Sequence, residues 1–425
     1  MTMKILYLIH QFYPEYYTGT EKFVFNLATM MQNFGNKVKV ITYSFYNNSF
    51  YDKKFGEILA KEFMYKGIPI LAFKYENPPV DLHFALKDER LAKLAKNIIK
   101  KELPDIVHIG HPMRVHELAL ASQSLNIPYV ITLTDFWLMC PKVNLITSTG
   151  DLCKGPEGDS TCQSLCPEFT PQVIGQRLKL AKNFLFKANV VVSPSRFLAS
   201  LFLKENKSLD LKIVNHGLSF MNLKKNRKAY KREDKLTFCY AGSLNYHKGV
   251  HILLEAFKKM RVNHTFLKIY GSGPDKNYVE KMKKVAGKDS RIEFCGTYSF
   301  EQIGDVFEGI DVLIIPSIVY ESYSLTLHEA LACNVPVITS NIGGIAEKIS
   351  DGFNGYTFKV GDSEHLRIII ETIAADPEML NKLKENITKI MIPTIEQEAY
   401  EYYRIYKNIA NKQLLVSQSH VSSGL

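Results

Sequence analysis

Two α/β domains, each a mainly parallel sheet with crossover helices, are the fold that this sequence predicts, and three observations predict it. The chain has 425 residues, more than one hydrophobic core usually organises, which points to two domains of about 200 residues each. Short apolar runs of strand length alternate with stretches of helical spacing. The same alternation restarts after a basic, polar segment near the middle.

The elements follow in order. KILYLIH from Lys4 reads as a buried strand, a loop carrying Gly19 follows, and Glu21 to Phe34 has helical spacing before the strand Val38 to Thr42. That is a βαβ unit. DIVHIG from Asp105, a helix over Val115 to Leu125, YVITLT from Tyr129 and NVVVSP from Asn189 extend it into successive parallel strands. The segment Ser219 to Lys235 is basic and lacks a buried strand pattern, so it reads as interdomain. Five further strands begin at Leu236, Thr265, Arg291, Val312 and Val335, each ending near Gly, Pro or Ser. A last helical stretch, 395–414, follows the final strand and is placed to return to the first domain.

Composition narrows the function classes. Hydrophobic residues are 46% and charged residues 23%, with 24 Gly and 17 Pro spread along the chain, which excludes disordered and fibrous classes. No apolar run approaches the roughly 20 residues of a spanning helix. The opening MTMKILYLIHQFYPEYY lacks a small-residue cleavage site and reads as a first strand rather than an export signal. The formal charge of +10 favours acidic partners. No basic strip with interleaved aromatic platforms is present, so nucleic acid is not expected among them.

The densest chemical signal is IVYESYSLTLHEALACNVPVITSNIGGIAE from Ile318, where Glu321 and Glu329 bracket a strand-to-helix turn. If Ser324 to Thr326 open the helix, their N–H groups and the positive helix end suit a diphosphate. Glu321 would face the hydroxyls of a donor sugar, and Glu329 would take two hydrogen bonds from a ribose. Lys248, before Gly249 and an amphipathic helix, can bring a mobile positive charge to a leaving diphosphate. Gly242 ends the strand before it, and Gly271 and Gly273 in YGSGPD mark a close-approach turn. Solvated helix-face acids, an ordinary lysine and a plain βα turn are the structural alternatives.

In the first domain Gly19 permits a tight turn and close approach of phosphate or sugar. Neither GxGxxG nor GxxxxGK[ST] occurs there, which disfavours dehydrogenase and ATPase readings. His108 and His111 stand where a strand opens into a loop, a place to position an acceptor hydroxyl or simply to satisfy a structural histidine. Seven cysteines are present, and Cys239, Cys295 and Cys333 read as reduced thiols. Cys140, Cys153, Cys162 and Cys166 share one Gly- and Pro-rich loop. They suit a structural zinc or iron–sulfur cluster, with unliganded thiols and disulfides as alternatives. The helix from Pro171 carries Arg177, Lys179, Lys182 and Lys187, which suits either an anionic membrane surface or a surface helix whose buried face comes from Leu178, Leu180, Ala181, Leu185 and Phe186.

Taken in order, the Gly19 loop, NHG at Asn215, AGSLNYHKG, GSGP, PSIVYESYSLTLHEA with its E-x7-E pair, PVI and GGIAE resemble the retaining glycosyltransferase family 4 over nearly the whole chain. The resemblance implies a GT-B fold, two Rossmann-like domains facing each other across a cleft: an acceptor-side domain over 1–218 completed by the helix 395–414, and a nucleotide-sugar-binding domain over 236–390. It implies transfer of a hexosyl group from a nucleoside diphosphate sugar, such as a UDP- or GDP-sugar, to a glycan or lipid-linked acceptor in polysaccharide or glycolipid synthesis. Glu321 would contact the transferred sugar and Glu329 the ribose. Lys248 and the main-chain N–H groups of Leu325 and Thr326 would contact the diphosphate, together with the turns at Gly242, Ser243, Gly271, Gly273 and Ser324. Gly19 and His111 would line the acceptor side. No cofactor is expected for catalysis. The cysteine loop resembles that of a subgroup. Location would be cytoplasmic, at the inner face of the membrane where acceptors are anchored. The family commonly has Arg at the position of Ser243, so Lys248 carries more of the load on the leaving group, and a sugar-facing His at that of Thr134, which can hydrogen-bond but cannot become cationic. A nucleotide-sugar epimerase, a sugar phosphorylase and a non-catalytic glycan- or nucleotide-binding protein are the rival functions.

Overall fold

The computed structural model describes residues 2–262 and 264–422. The chain divides into two units, one running up to His216 and resuming at Ile395, the other Gly217–Thr394. The α/β class predicted from the sequence holds in both.

The first unit is built on nine strands: β1 Lys4–Ile9, β2 Lys37–Tyr43, β3 Lys53–Phe55, β4 Ile58–Tyr65, β5 Ile68–Tyr75, β6 Ile106–Ile109, β7 Tyr129–Thr132, β8 Val190–Ser193 and β9 Leu211–Ile213. Their order in the sheet is β3-β4-β5-β2-β1-β6-β7-β8-β9. β1 lies between β2 and β6 and is parallel to both, so the winding reverses there. In open α/β sheets, ligands bind outside the carboxyl ends of the strands at such a reversal. β6, β7 and β8 are buried at every position, which is why they read as unbroken apolar runs.

The antiparallel pair β4 and β5 was not anticipated from the sequence. It turns through Lys66 and Gly67, both at positive φ, the backbone a two-residue hairpin requires. The helix Ile395–Ser422 belongs to this unit, and its Tyr402, Ile405, Tyr406 and Ile409 join the core around Ile5, Tyr7 and Phe23. Burying each such side chain contributes about 2 kcal/mol. His108 completes that contact. It is wholly buried, bonds Tyr406 Oη through Nδ1 and sits 2.8 Å from Thr132 Oγ1, which is 2.9 Å from Tyr402 Oη. Burial lowers its pKa to about 3, so it is a neutral structural histidine.

The helix Pro171–Phe186 differs from the face predicted for it. Arg177 points inward, donating from Nε to Phe84 O at 2.9 Å and from Nη2 to Trp137 O, with its guanidinium over the Trp137 ring. It therefore adds nothing to the basic surface. Phe186, expected on the buried face, is 62% exposed.

The second unit carries β10 Leu236–Ala241, β11 Thr265–Tyr270, β12 Ile292–Gly296, β13 Val312–Ile315, β14 Val337–Ser340 and β15 Gly355–Phe358. They form an all-parallel sheet in the order β12-β11-β10-β13-β14-β15. The reversal falls between β10 and β13. The basic segment before β10 is held on this unit: Asn226 Nδ2 donates to Ile310 O at 2.8 Å, and Tyr230 Oη donates to the buried Asp311 at 2.9 Å.

Candidate active site

Four loops meet beyond the carboxyl ends of β10, β11, β13 and β14. The loop after β10 bends through a short 3-10 turn, Tyr246–Lys248, and then through Gly249 at φ 73° into the helix Val250–Lys258. A Cβ on Gly249 would lie 1.8 Å from Pro316 O, so only glycine allows the loops after β10 and β13 to touch. That contact is fixed by Ile318 N donating to His247 O at 3.0 Å. Gly271, at φ 142°, meets Gly242 O in the same way, at 1.8 Å for an added Cβ. Gly242 N donates to Tyr270 O, and Leu244 N to Ser272 O, with Gly273 alongside. Ser243 closes the turn, its carbonyl accepting from Tyr240 Oη at 2.7 Å.

These contacts bring together two residues 73 positions apart. Lys248 Nζ lies 2.6 Å from Glu321 Oε1, with side-chain exposures of 28% and 15%. The same carboxylate oxygen accepts from Ser317 Oγ at 2.6 Å. The main chain of Glu321 is tied to the loop after β14, its carbonyl accepting from Gly344 N at 2.7 Å. A carboxyl group and an amine are thus held at the sheet's reversal point by three of the four loops.

The helix Leu325–Ala332 starts beside them. Ser324 is its N-cap, accepting from Leu327 N at 3.2 Å, and the Ser324 carbonyl lies 2.7 Å from His328 Nδ1. Leu325 and Thr326 head the helix, where N–H groups have no intrahelical acceptor and the macrodipole is positive. Glu329 follows one turn later, half-buried. Its charge, after burial, is a cause of the raised pKa of Tyr298.

In the first unit the corresponding loops after β1, β6 and β7 also converge. Gly19 is the exposed first residue of the helix Gly19–Asn33, capped by Thr18 and Glu21 in a reciprocal box. Glu21 is fully buried: Oε2 accepts from Thr18 N at 2.7 Å, and Oε1 lies 3.6 Å from His10 Nε2. The His10 ring lies against His111 at 4.1 Å between centroids. His111 in turn reaches Asp135 Oδ2 at 2.8 Å. Thr134 Oγ1 donates to Gly110 O at 3.4 Å. No role was read for His10, Glu21 or Asp135 in the sequence. The T-x-x-E capping box was a visible signal for Glu21, and Asp135 stands three residues after a buried strand.

The cysteine loop requires a correction. Cys140, Cys153, Cys162 and Cys166 do come together, around a space of about 10 Å³, but all four are free, buried thiols. Among the described residues no group of three or more His, Cys, Asp or Glu is placed to hold a metal ion, so the structural zinc or iron–sulfur expectation fails. Burial raises the thiols of Cys140 and Cys153, and pushes that of Cys162 up to about 12, with the neighbouring thiols adding to it. Metals bind thiolates, and burial here favours the protonated form. The subgroup suggested by this loop finds no support either. Among the described residues no helix is long and apolar enough to cross a membrane.

Comparison with known proteins now decides the class. Residues 17–217 match the model of Glycosyltransferase Family 4, and residues 222–390 that of Glycosyl transferases group 1. The chain is a glycosyltransferase of the GT-B class. Among its relatives, an uncharacterized glycosyltransferase of Methanocaldococcus jannaschii is 27% identical over 180 residues, 41% of this chain and 46% of that protein. Lipopolysaccharide 1,2-N-acetylglucosaminetransferase of Salmonella typhimurium is 30% identical over 183 residues, 39% of this chain and 48% of that protein. The match thus spans about half the length of each of these two relatives. Solved structures align more fully. HepE of Anabaena, in complex with UDP and glucose, superposes with a TM-score of 0.69 at 18% identity, over 95% of this glycosyltransferase and 99% of that chain. Sucrose-phosphate synthase of Thermosynechococcus elongatus gives 0.69 at 17%, over 98% and 100%. At such identities the likeness establishes the fold.

Proposed function

We propose that this GT-B glycosyltransferase moves a hexosyl group from a nucleoside diphosphate sugar to a hydroxyl of a glycan or lipid-linked acceptor, with retention at the anomeric carbon, in polysaccharide or glycolipid synthesis. The observation that carries this reading is the Lys248–Glu321 pair, 2.6 Å apart, with Glu321 four residues before the helix Leu325–Ala332. In this reading the second unit binds the donor and the first the acceptor.

As the glycosidic bond weakens, negative charge grows on the diphosphate. The N–H groups of Leu325 and Thr326 and the Lys248 ammonium stabilise that charge more in the transition state than in the ground state. The loop glycines Gly242, Gly271 and Gly273 and the neighbouring Ser243 and Ser324 let the diphosphate approach main chain. Glu321, held by Ser317, accepts hydrogen bonds from hydroxyls of the transferred sugar, and Glu329 takes two from the ribose. Gly19 and His111 belong to the acceptor side. HepE, which shares the fold, was solved with UDP and glucose, so UDP-sugars head the candidate donors and GDP-sugars follow. The exposed Lys179 and Lys182 lie on the same helix as the exposed Phe186, with Lys187 as its C-cap, a combination that suits an acceptor anchored in anionic lipid at the inner membrane face.

The test is a panel of UDP-, GDP- and ADP-sugars assayed for nucleotide release with glycan and lipid extracts as acceptors. One donor is expected to release nucleoside diphosphate in step with a glycosylated product. Isomerised free nucleotide sugar, or binding without turnover on any donor, contradicts the proposal.

A further inference from the structure

The first unit has a polar group better placed than His111 to touch substrate. Met113 N donates to His111 Nδ1 at 3.2 Å, so the Nδ1 lone pair is occupied and the ring proton sits on Nε2. That proton is donated to Asp135 Oδ2 at 2.8 Å. His10 covers one side of the ring, and the His111 side chain is only 2% exposed. Both nitrogens are spent, and the ring has no free edge to offer a ligand.

Asp135 is the opposite case. Trp137 N donates to Oδ1 at 2.8 Å while His111 holds Oδ2, so two protein donors fix the plane of the carboxylate. Its side chain remains 29% exposed. Each carboxylate oxygen has lone-pair capacity for a further donor. The group stands three residues after β7, a neighbour of β6 and two strands from β1, where the winding reverses and α/β sheets bind ligands.

We propose that Asp135 is a substrate-binding residue of this glycosyltransferase, accepting a hydrogen bond from an acceptor-sugar hydroxyl, and that His111 is its positioning residue. The inference rests on the transfer reaction proposed above and names the group that recognises the acceptor. The ligand class is a polyhydroxylated sugar bound through a hydroxyl donor. Asp135→Asn keeps the shape but can accept from only one of His111 Nε2 and Trp137 N, and it replaces one acceptor oxygen with an amide donor. His111→Gln can restore an N–H toward Asp135, whereas His111→Ala cannot.

Steady-state kinetics with the donor saturating test this, using the donor and acceptor identified by the panel. Asp135→Asn and His111→Ala are expected to raise the acceptor KM about tenfold or more, the range for losing a hydrogen bond to a charged group. Donor KM and acceptor-independent donor hydrolysis are expected to stay within about twofold, and His111→Gln to recover most of the acceptor affinity. Thermal melts of each variant separate loss of fold from loss of binding. An unchanged acceptor KM in folded Asp135→Asn, or a His111→Gln no better than His111→Ala, overturns the assignment while wild-type turnover leaves the transfer reaction standing. Absence of wild-type turnover on every donor instead removes the transfer reading, and this inference with it.

Discussion

Lys248→Ala is expected to lower kcat/KM for the nucleotide sugar by about 10² to 10³, the range seen when one donor to a developing oxyanion is removed. The amine sits 2.6 Å from Glu321 Oε1, four residues before the helix Leu325–Ala332, and in the proposed reaction it meets the charge that grows on the diphosphate. Where the family commonly carries Arg, this chain has Ser243, and its hydroxyl cannot replace a cation. The fold is expected to survive, because Glu321 keeps the Ser317 hydroxyl and its side chain is 15% exposed to water. Lys248→Arg is expected to rescue poorly, since a planar fork does not reproduce a compact ammonium in a tight loop. Donor turnover within about twofold of wild type in Lys248→Ala would remove Lys248 from the mechanism.

Gly249→Ala is expected to destabilise the second unit by about 2 to 4 kcal/mol and to abolish turnover even where the chain stays folded. Two costs combine. A non-glycine residue at φ 73° is strained, and its Cβ would lie 1.8 Å from a backbone oxygen, Pro316 O, which has no rotamer with which to move away. Relief requires the loops after β10 and β13 to separate, and that separation pulls Lys248 from Glu321. Gly361→Ala is the matched control: φ is 75° but nothing lies within 4 Å of an added Cβ, so it pays strain alone and keeps activity. Thermal denaturation and nucleotide release on the two variants measure both effects. Equal behaviour would mean that the loop contact does not hold the site.

What the sequence showed and what it hid follow a physical division. The strand-to-helix turns that carry Lys248 before Gly249, and Glu321 ahead of Ser324 and Leu325, were legible because such a turn is written within one loop and one helical turn. The strands β6 to β8 were legible because burial on both faces leaves unbroken apolar runs. The pairing of His111 with Asp135 was not, since the two come from different strands and meet only through the register of β6 with β7. Arg177 was misread for a related reason: an arginine at helical spacing reads as surface unless the carbonyls of Phe84 and Trp137 are known to await it. β4 escaped because Lys61 and Glu62 interrupt its apolar run, whereas β5, buried at six of its eight positions, offered an apolar run that went unread. The cysteine spacing was a fair metal signal, yet spacing says nothing of side-chain direction, and the folded loop leaves four buried thiols.

The central claim, that the second unit holds a nucleoside diphosphate between Lys248 and the head of the helix Leu325–Ala332, is tested most directly by titration calorimetry with UDP, GDP and ADP. The account predicts that one of them binds the wild-type chain, and that Lys248→Ala weakens that binding about tenfold or more. A folded protein that binds none of the three at millimolar concentration, or binds one equally well without Lys248, would contradict it.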